Sequence, residues 1–198
     1  MQRSASLLLG LLAIGVAIAS PVAMLDHRML TAHMTQHLLL MTIAPPLIFL
    51  SVPRFRPARV NPAICWLAAT AVLVGWHIPA AFRLGMQSAS WHAIEQFSFL
   101  AAGILFWWPV FEPRPRWSIL LYLFFATLPC DVLSGFLVFS DRVAYPVYLC
   151  TPRNSGWSAL EDQQCAGALM WTVVTIVYLI AGTVFATQLL SAQHVEAA

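Results

Sequence analysis

Long apolar runs alternate with short polar connections along the whole chain. A helix that spans a membrane needs about 20 mostly apolar residues, so runs of this length are candidate spans. Six runs qualify, at residues 6–24, 29–51, 62–82, 90–111, 117–139 and 158–190. Runs this long without polar alternation are typical of helices rather than of barrel strands. The pattern predicts an all-α, polytopic bundle of six transmembrane helices.

Composition supports a membrane protein. Hydrophobic residues make up 60% of the chain and charged residues 9%, and the mean hydropathy is +0.77. These values are far from those of soluble domains. The longest polar connection, residues 140–157, is too short for a soluble domain. We therefore expect residues 1–198 to form one integral domain in the lipid bilayer, with no nucleic-acid partner.

Arginine positions predict the orientation, because positive residues favour cytoplasmic connections and the chain contains no lysine. Arg54, Arg56 and Arg59 lie in the second connection, and Arg114 and Arg116 lie in the fourth. Both connections are expected to be cytoplasmic. Alternation then places both termini in the cytoplasm.

The first apolar run has two interpretations. Arg3, the apolar stretch 7–19 and the sequence Ala17-Ile18-Ala19-Ser20 resemble a signal peptide. Pro21 would directly follow the cleavage site, which favours a retained helix. Cleavage would leave five helices without changing their orientation.

Polar and sulfur-containing side chains concentrate in the outer half of the predicted bundle. A rise of about 1.5 Å per residue from the outer end of each helix gives their depth. The groups in this half are His33, His37, His77, His92, Glu95, Gln96, Cys130, Asp131 and residues 161–165, which include Asp162 and Cys165. Ionisable groups within a membrane are costly and usually face the bundle interior or a water-filled cavity. Their concentration predicts a site that opens outward.

A metal site would use these side chains. His33, Met34, His37 and Met41 share one stripe of the second helix, and the two histidines, four residues apart, can bind one ion. Imidazole combined with thioether favours copper, particularly Cu(I). The chain lacks the Cys-x-x-Cys and His-Glu-x-x-His patterns of zinc sites and any nucleotide-binding motif. No catalytic residue is predicted.

We expect one outward-facing copper site. The candidate metal residues are His33, His37, His77, His92, Met34, Met41, Asp162, Cys165 and Asp131. Each also has a structural interpretation, because histidine and aspartate can form hydrogen bonds between helices and methionine can fill an apolar core. Glu95 also has a structural interpretation, because it can form an ion pair with Arg83 or His92.

Prolines and a capping pattern predict local breaks. Prolines at 45–46 and at 129 are expected to kink their helices. His77 precedes Pro79, where the third helix is expected to end. Ser158 and Glu161 have the spacing of a capping box, which predicts that the last helix starts there.

The cysteines leave two alternatives open. Cys150 and Cys165 both lie on the predicted outer side, where disulfides persist. They are either a disulfide that pins the loop between them or two free thiols.

Four ordered motifs resemble the CtaG-type cytochrome c oxidase assembly factors. They are QHLLLMTIAPPL at 36–47, GWHIPA at 75–80, WHAIEQFSFLAAGILFWWPV at 91–110 and EDQQCAGALMW at 161–171. The resemblance implies a polytopic protein of the bacterial cytoplasmic membrane that helps to assemble haem-copper oxidases through copper supply. Oxidase subunits and a soluble periplasmic copper donor are the partners that it implies.

The resemblance also points to particular positions. His37, His77 and His92 are motif histidines, and Asp162 is the motif acid. Gln96 stands where the resemblance implies a second histidine on the fourth helix.

Two alternatives to copper supply remain at this point. One is a haem b-binding redox protein in which His37 and either His77 or His92 are axial ligands. The other is a structural accessory subunit without metal, in which the polar side chains lock helices together.

Overall fold

The computed structural model describes residues 2–52, 59–151 and 156–196. These residues form helices joined by short turns and contain no β-strand, which confirms the predicted all-α class. Arg54 and Arg56 lie outside the described residues. The predicted cytoplasmic position of both termini stays a prediction.

Nine α-helices follow one another in the described part of the chain. They are α1 (Gln2–Ala19), α2 (Pro21–Leu25), α3 (Leu30–Leu38), α4 (Ala44–Ser51), α5 (Pro62–His77), α6 (Pro79–Gln87), α7 (Ala89–Phe111), α8 (Arg116–Phe139) and α9 (Ala159–Glu196). A π-helical segment, Leu39–Ile43, joins α3 to α4, and a 3₁₀ turn, Pro146–Leu149, lies between α8 and α9.

The helices supply five to six candidate membrane spans. Five stretches of the described residues are long and apolar enough, namely Arg3–Leu25, Leu30–Ser51, Ala89–Phe111, Arg116–Phe139 and Ala159–Ser191. The pair α5–α6 is a sixth if it is counted as one bent span. The six predicted apolar runs correspond to these segments in order.

The third predicted helix is two helices. α5 ends at His77, α6 begins at Pro79, and the two are bent by 75°. Proline has no N–H and disfavours helical backbone at the residue before it, and Ile78 is accordingly extended with φ −65° and ψ 128°. The prediction of one continuous helix over residues 62–82 was therefore wrong. The predicted helix end near Pro79 is confirmed.

The second span changes helix type before its two prolines. The N–H of Ala44 binds the carbonyl of Leu39, five residues earlier, which is the π-helical pattern. Pro45 and Pro46 follow and have no N–H to donate to the preceding turn. The expected disturbance at 45–46 therefore takes the form of a wider helical turn.

The last helix starts with the predicted capping box. The N–H of Ser158 donates to Glu161 Oε2 at 2.7 Å, and the N–H of Glu161 donates to Ser158 Oγ at 3.2 Å. α9 begins directly afterwards at Ala159. The capping prediction is confirmed.

The interior of the bundle combines a large apolar core with buried polar residues, and many further large apolar side chains face outward. α3 packs against α1, α7 and α9. Both α5 and α6 pack against α7, and α8 packs along α9. Leu8, Phe97, Val132 and Phe139 are among the exposed apolar side chains. This arrangement suits a bundle surrounded by lipid, and it leaves α3 and α7 to form a polar interior.

Gly103 of α7 allows a close approach to the π-helical segment. A Cβ atom at this position would lie 2.6 Å from the carbonyl oxygen and 2.7 Å from the Cα of Met41. Both are backbone atoms, so the clash could be relieved only by moving a helix.

We expect Gly103→Ala to lower the free energy of unfolding by about 1–3 kcal/mol, the usual cost of overpacking. Gly135→Ala is the matched control, because nothing lies within 4 Å of a Cβ there and alanine favours a helix. Thermal unfolding of the purified protein in detergent measures both. Equal unfolding temperatures for the two variants would contradict the close approach.

Candidate functional site: a buried histidine and carboxylate cluster

Glu95 of α7 faces three imidazoles. Its Oε1 lies 3.2 Å from His33 Nε2 and 3.4 Å from His37 Nε2, both on α3. Its Oε2 lies 3.6 Å from Nδ1 of His92, one turn earlier on α7. Glu95 and His33 are fully buried. One carboxylate thus joins two helices inside the bundle.

The helix break at Pro79 contributes to this arrangement through Gly85. α6 packs on α7, and a Cβ atom at Gly85 would lie 2.5 Å from Glu95 Oε2. Glycine therefore makes room for the carboxylate. Any larger residue at this position would have to displace it.

Asp26 extends the cluster beyond the end of α2. Its Oδ2 lies 2.9 Å from His92 Nε2, and its Oδ1 lies 3.9 Å from His27 Nε2. Burial raises the pKa of the Asp26 carboxyl, but the close contact with His92 and the charges of His27, His92 and His33 together outweigh burial and lower it. Asp26 is therefore a carboxylate at neutral pH.

Two groups of three side chains each bring their ligand atoms within 4.8 Å of one another. We call His33, His37 and Glu95 the inner triad and Asp26, His33 and His92 the outer triad. His33 belongs to both. Together these five residues are the histidine–carboxylate cluster.

Several cluster atoms approach one another without hydrogen bonds. Within the described residues, no hydrogen-bond partner is found for the buried atoms His37 Nε2, His92 Nδ1, Asp26 Oδ2 and Glu95 Oε2, although they lie 2.9–3.6 Å from groups of the cluster. The Asp26 and His92 atoms are close enough for a hydrogen bond but are not aligned for one. Buried polar atoms are nearly always paired, and an unpaired one costs roughly 1–3 kcal/mol. An ion between these atoms would complete the arrangement.

The charges of the cluster also favour a cation. In the part of the chain that the structure describes, the ion pairs of Asp26 and Glu95 involve histidines alone. Buried carboxylates are very costly unless they are paired or coordinate a metal. Either protonated imidazoles or a bound metal ion must balance them.

His77 and Met34 lie beside the inner triad. Met34 Sδ is 3.3 Å from His77 Nε2, and the rings of His37 and His77 are 5.9 Å apart. Nδ1 of His77 lies 2.7 Å from the carbonyl of Leu73, and a carbonyl can only accept. Nδ1 therefore carries the proton, and in the neutral ring Nε2 keeps a lone pair for a metal.

Gln96 takes part in a neutral hydrogen-bond chain. Its Nε2 donates to Gln36 Oε1 at 3.0 Å, and Gln36 Nε2 donates to the carbonyl of Ala17 at 2.9 Å. These two hydrogen bonds connect α7, α3 and α1. The position where the resemblance implies a histidine thus supplies an amide that links helices.

Asp162 holds the first turn of α3. The N–H of Leu30 donates to its Oδ2 at 2.7 Å, and the N–H and the hydroxyl of Thr31 donate to its Oδ1 at 3.2 and 2.7 Å. The N-cap residue of α3, Met29, makes no side-chain capping bond. Asp162 from α9 satisfies these N–H groups instead and also suits the positive end of the helix dipole. It fixes the helix that carries His33 and His37.

Three further candidate metal residues, Met41, Asp131 and Cys165, belong to neither triad. Met41 is in the π-helical segment and packs against the apolar core. Asp131 on α8 and Cys165 on α9 are partly buried, and among the described residues no hydrogen bond or ion pair joins either to the cluster. Cys150 and Cys165 are both free thiols, which is the second of the two alternatives.

Two cluster members, Asp26 and Glu95, are absent from the sequence-based set of candidate metal residues. Glu95 follows His92 by three residues on one helix face, and this spacing indicated the contact that the structure shows. Asp26 stands in a connection, so helix periodicity gave no signal for it. The sequence signal available for Asp26 was its position beside His27 at the outer end of a predicted span.

The fold and the cluster together define a polytopic helical membrane protein with a buried set of potential metal ligands. The family model described as cytochrome c oxidase caa3 assembly factor matches residues 1–192. Since this is nearly the whole chain, the protein belongs to that family, and the CtaG-type resemblance is confirmed. No significant match was found among curated proteins or solved structures. A family of assembly factors is not a family of catalytic enzymes.

We expect Asp162→Ala to destabilise the protein by at least about 1–3 kcal/mol, because it leaves N–H groups of α3 unsatisfied. Asp162→Asn, which keeps the size and one acceptor oxygen, should lose less. Chemical unfolding in detergent measures the series, with Asp131→Ala as a control of near wild-type stability. An Asp162→Ala variant as stable as the wild type would contradict the capping role.

Proposed function

We propose that this protein binds copper in the histidine–carboxylate cluster and supplies it to a cytochrome c oxidase during assembly. The observation that carries this proposal is the set of buried ligand atoms of Asp26, His37, His92 and Glu95 that lie close together without hydrogen bonds in the described chain. The family supplies the assembly role. The cluster supplies a place for the metal.

The chemistry of the donors supports copper. The inner triad offers two imidazoles and a carboxylate, which suit a divalent transition-metal ion, and the neighbouring His77 and Met34 add an imidazole and a thioether. Imidazole binds several transition metals, whereas thioether selects Cu(I). Copper suits both parts of this set, because Cu²⁺ suits the inner triad and Cu(I) suits His77 and Met34.

The inner triad also suits a metal that has to leave again. Three protein ligands leave an open position, as they do in metal sites that bind exchangeable groups. A ligand from a partner can occupy that position before the protein ligands are released. Copper can then pass on by stepwise ligand exchange.

The membrane spans and the family support a setting in a membrane that contains an oxidase. We propose a location in the bacterial cytoplasmic membrane, with the cluster opening to the outer side. Subunits of the oxidase in the same membrane are the recipients, and a soluble periplasmic protein is the copper donor.

Copper analysis of purified protein tests the proposal. Wild-type protein prepared with copper is expected to keep a stoichiometric amount after exhaustive washing. His33→Ala, His37→Ala and Glu95→Gln should each lose most of it, because each removes a ligand of the inner triad. Asp131→Ala is the matched control and should keep the wild-type amount, since Asp131 is an acid of the same bundle outside the cluster.

Three results would contradict the proposal. Equal copper in the wild type and all cluster variants would rule out this site. A Soret absorption band without copper would favour the haem b-binding alternative. Metal-free protein that still co-purifies with an oxidase would favour the structural accessory subunit.

A further inference from the structure

We propose that the outer triad, Asp26, His33 and His92, is a second metal site at which a divalent transition-metal ion binds on its way to the inner triad. This inference rests on the proposed function, because the inner triad is the destination. It adds a route by which the metal ion enters and the order in which the ion binds the two triads.

A cavity reaches Asp26 and His92, two of the three members of the outer triad. It has a volume of about 260 Å³ and lies where α1 and α2 face α3 and α7. Asp26, His27, Gln36, His92 and Gln96 supply its polar lining, and the rest is apolar. A water molecule takes about 30 Å³ in the liquid, so an ion with several waters fits.

Exposure falls stepwise along the histidines of this route. The side chain of His27 is 54% exposed, that of His92 is 18% exposed and that of His33 is fully buried. The rings of His27 and His92 are 5.5 Å apart, and those of His92 and His33 are 5.9 Å apart. An ion captured by His27 can therefore lose its water in steps while it gains imidazole ligands.

His33 makes the transfer between the triads a simple exchange. The ion keeps His33 while Asp26 and His92 are replaced by His37 and Glu95. Coordination bonds form and break without a change of oxidation state, and any proton that His37 loses when it binds the ion can be taken up by the released His92. Each triad contributes one carboxylate, so the net charge of the ion and its ligands is the same before and after transfer.

The donors define the class of ion. The outer triad offers imidazole and carboxylate without sulfur, which suits a divalent ion such as Cu²⁺ rather than Cu(I). Asp26 Oδ2 and His92 Nδ1 are among the buried atoms without hydrogen-bond partners in the described chain. A metal ion between Asp26 and His92 would account for the Asp26 oxygen that makes no hydrogen bond. Nδ1 of His92 faces Glu95 Oε2 instead, at 3.6 Å.

Asp26→Asn tests the route with little disturbance of the fold. The asparagine keeps the size of the side chain and can still accept the hydrogen bond that the N–H of His27 donates to Oδ1 at 2.6 Å. The hydroxyl of Tyr148 donates to the backbone carbonyl of residue 26, which the substitution leaves in place.

The measurement is the rate of Cu²⁺ uptake by metal-free purified protein from a coloured Cu²⁺ chelate, followed by stopped-flow absorbance. Asp26→Asn is expected to slow uptake by about tenfold or more, in the range seen when groups around a metal site are removed. His27→Ala should slow uptake less. Asp131→Asn is the control and should load at the wild-type rate.

A trapping experiment tests the site itself. With Cu²⁺ present in solution, His37→Ala breaks the inner triad and should show a bound Cu²⁺ signal by electron paramagnetic resonance from the outer triad. The double variant His37→Ala, Asp26→Asn should lose that signal. The inference would be overturned if Asp26→Asn took up Cu²⁺ at the wild-type rate and the double variant kept the resonance signal of His37→Ala. The proposed function would then remain intact. A wild type that binds no copper would overturn both.

Discussion

The Glu95 carboxylate between three imidazoles is the interaction on which the rest of the bundle depends. A carboxylate buried in a membrane protein is tolerated only with partners close enough to compensate the loss of water. Glu95 is fully buried and finds those partners on α3 and on its own helix. This requirement holds α3 against α7, while α6 must present a glycine to leave the space.

Backbone features outside the cluster hold its parts in position. Pro79 turns the chain so that α6 reaches α7, and the wide π-helical turn at Leu39–Ile43 lets α7 approach at Gly103. Asp162 secures the start of α3 from the far end of the sequence. Stability and ligand geometry are therefore coupled, because a change in any of these features moves the helix that carries His33 and His37.

The apolar runs made the helices predictable, because a membrane allows few alternatives to a helix. The capping box at Ser158 and the break at Pro79 were predictable from local chemistry. The cluster was predictable in part, since spacing put His33 and His37 on one face but could not show which helices are neighbours. Asp162 illustrates the limit, because its contact with α3 joins residues more than a hundred positions apart.

The central claim is that the cluster holds copper through the imidazoles of α3. X-ray absorption at the copper edge of the copper-loaded protein tests this most directly, because scattering from imidazole rings identifies histidine ligands. We predict a shell of nitrogen and oxygen with imidazole scattering that weakens when His33 and His37 are both replaced by alanine. A copper environment without imidazole, or one unchanged by that double substitution, would contradict the account.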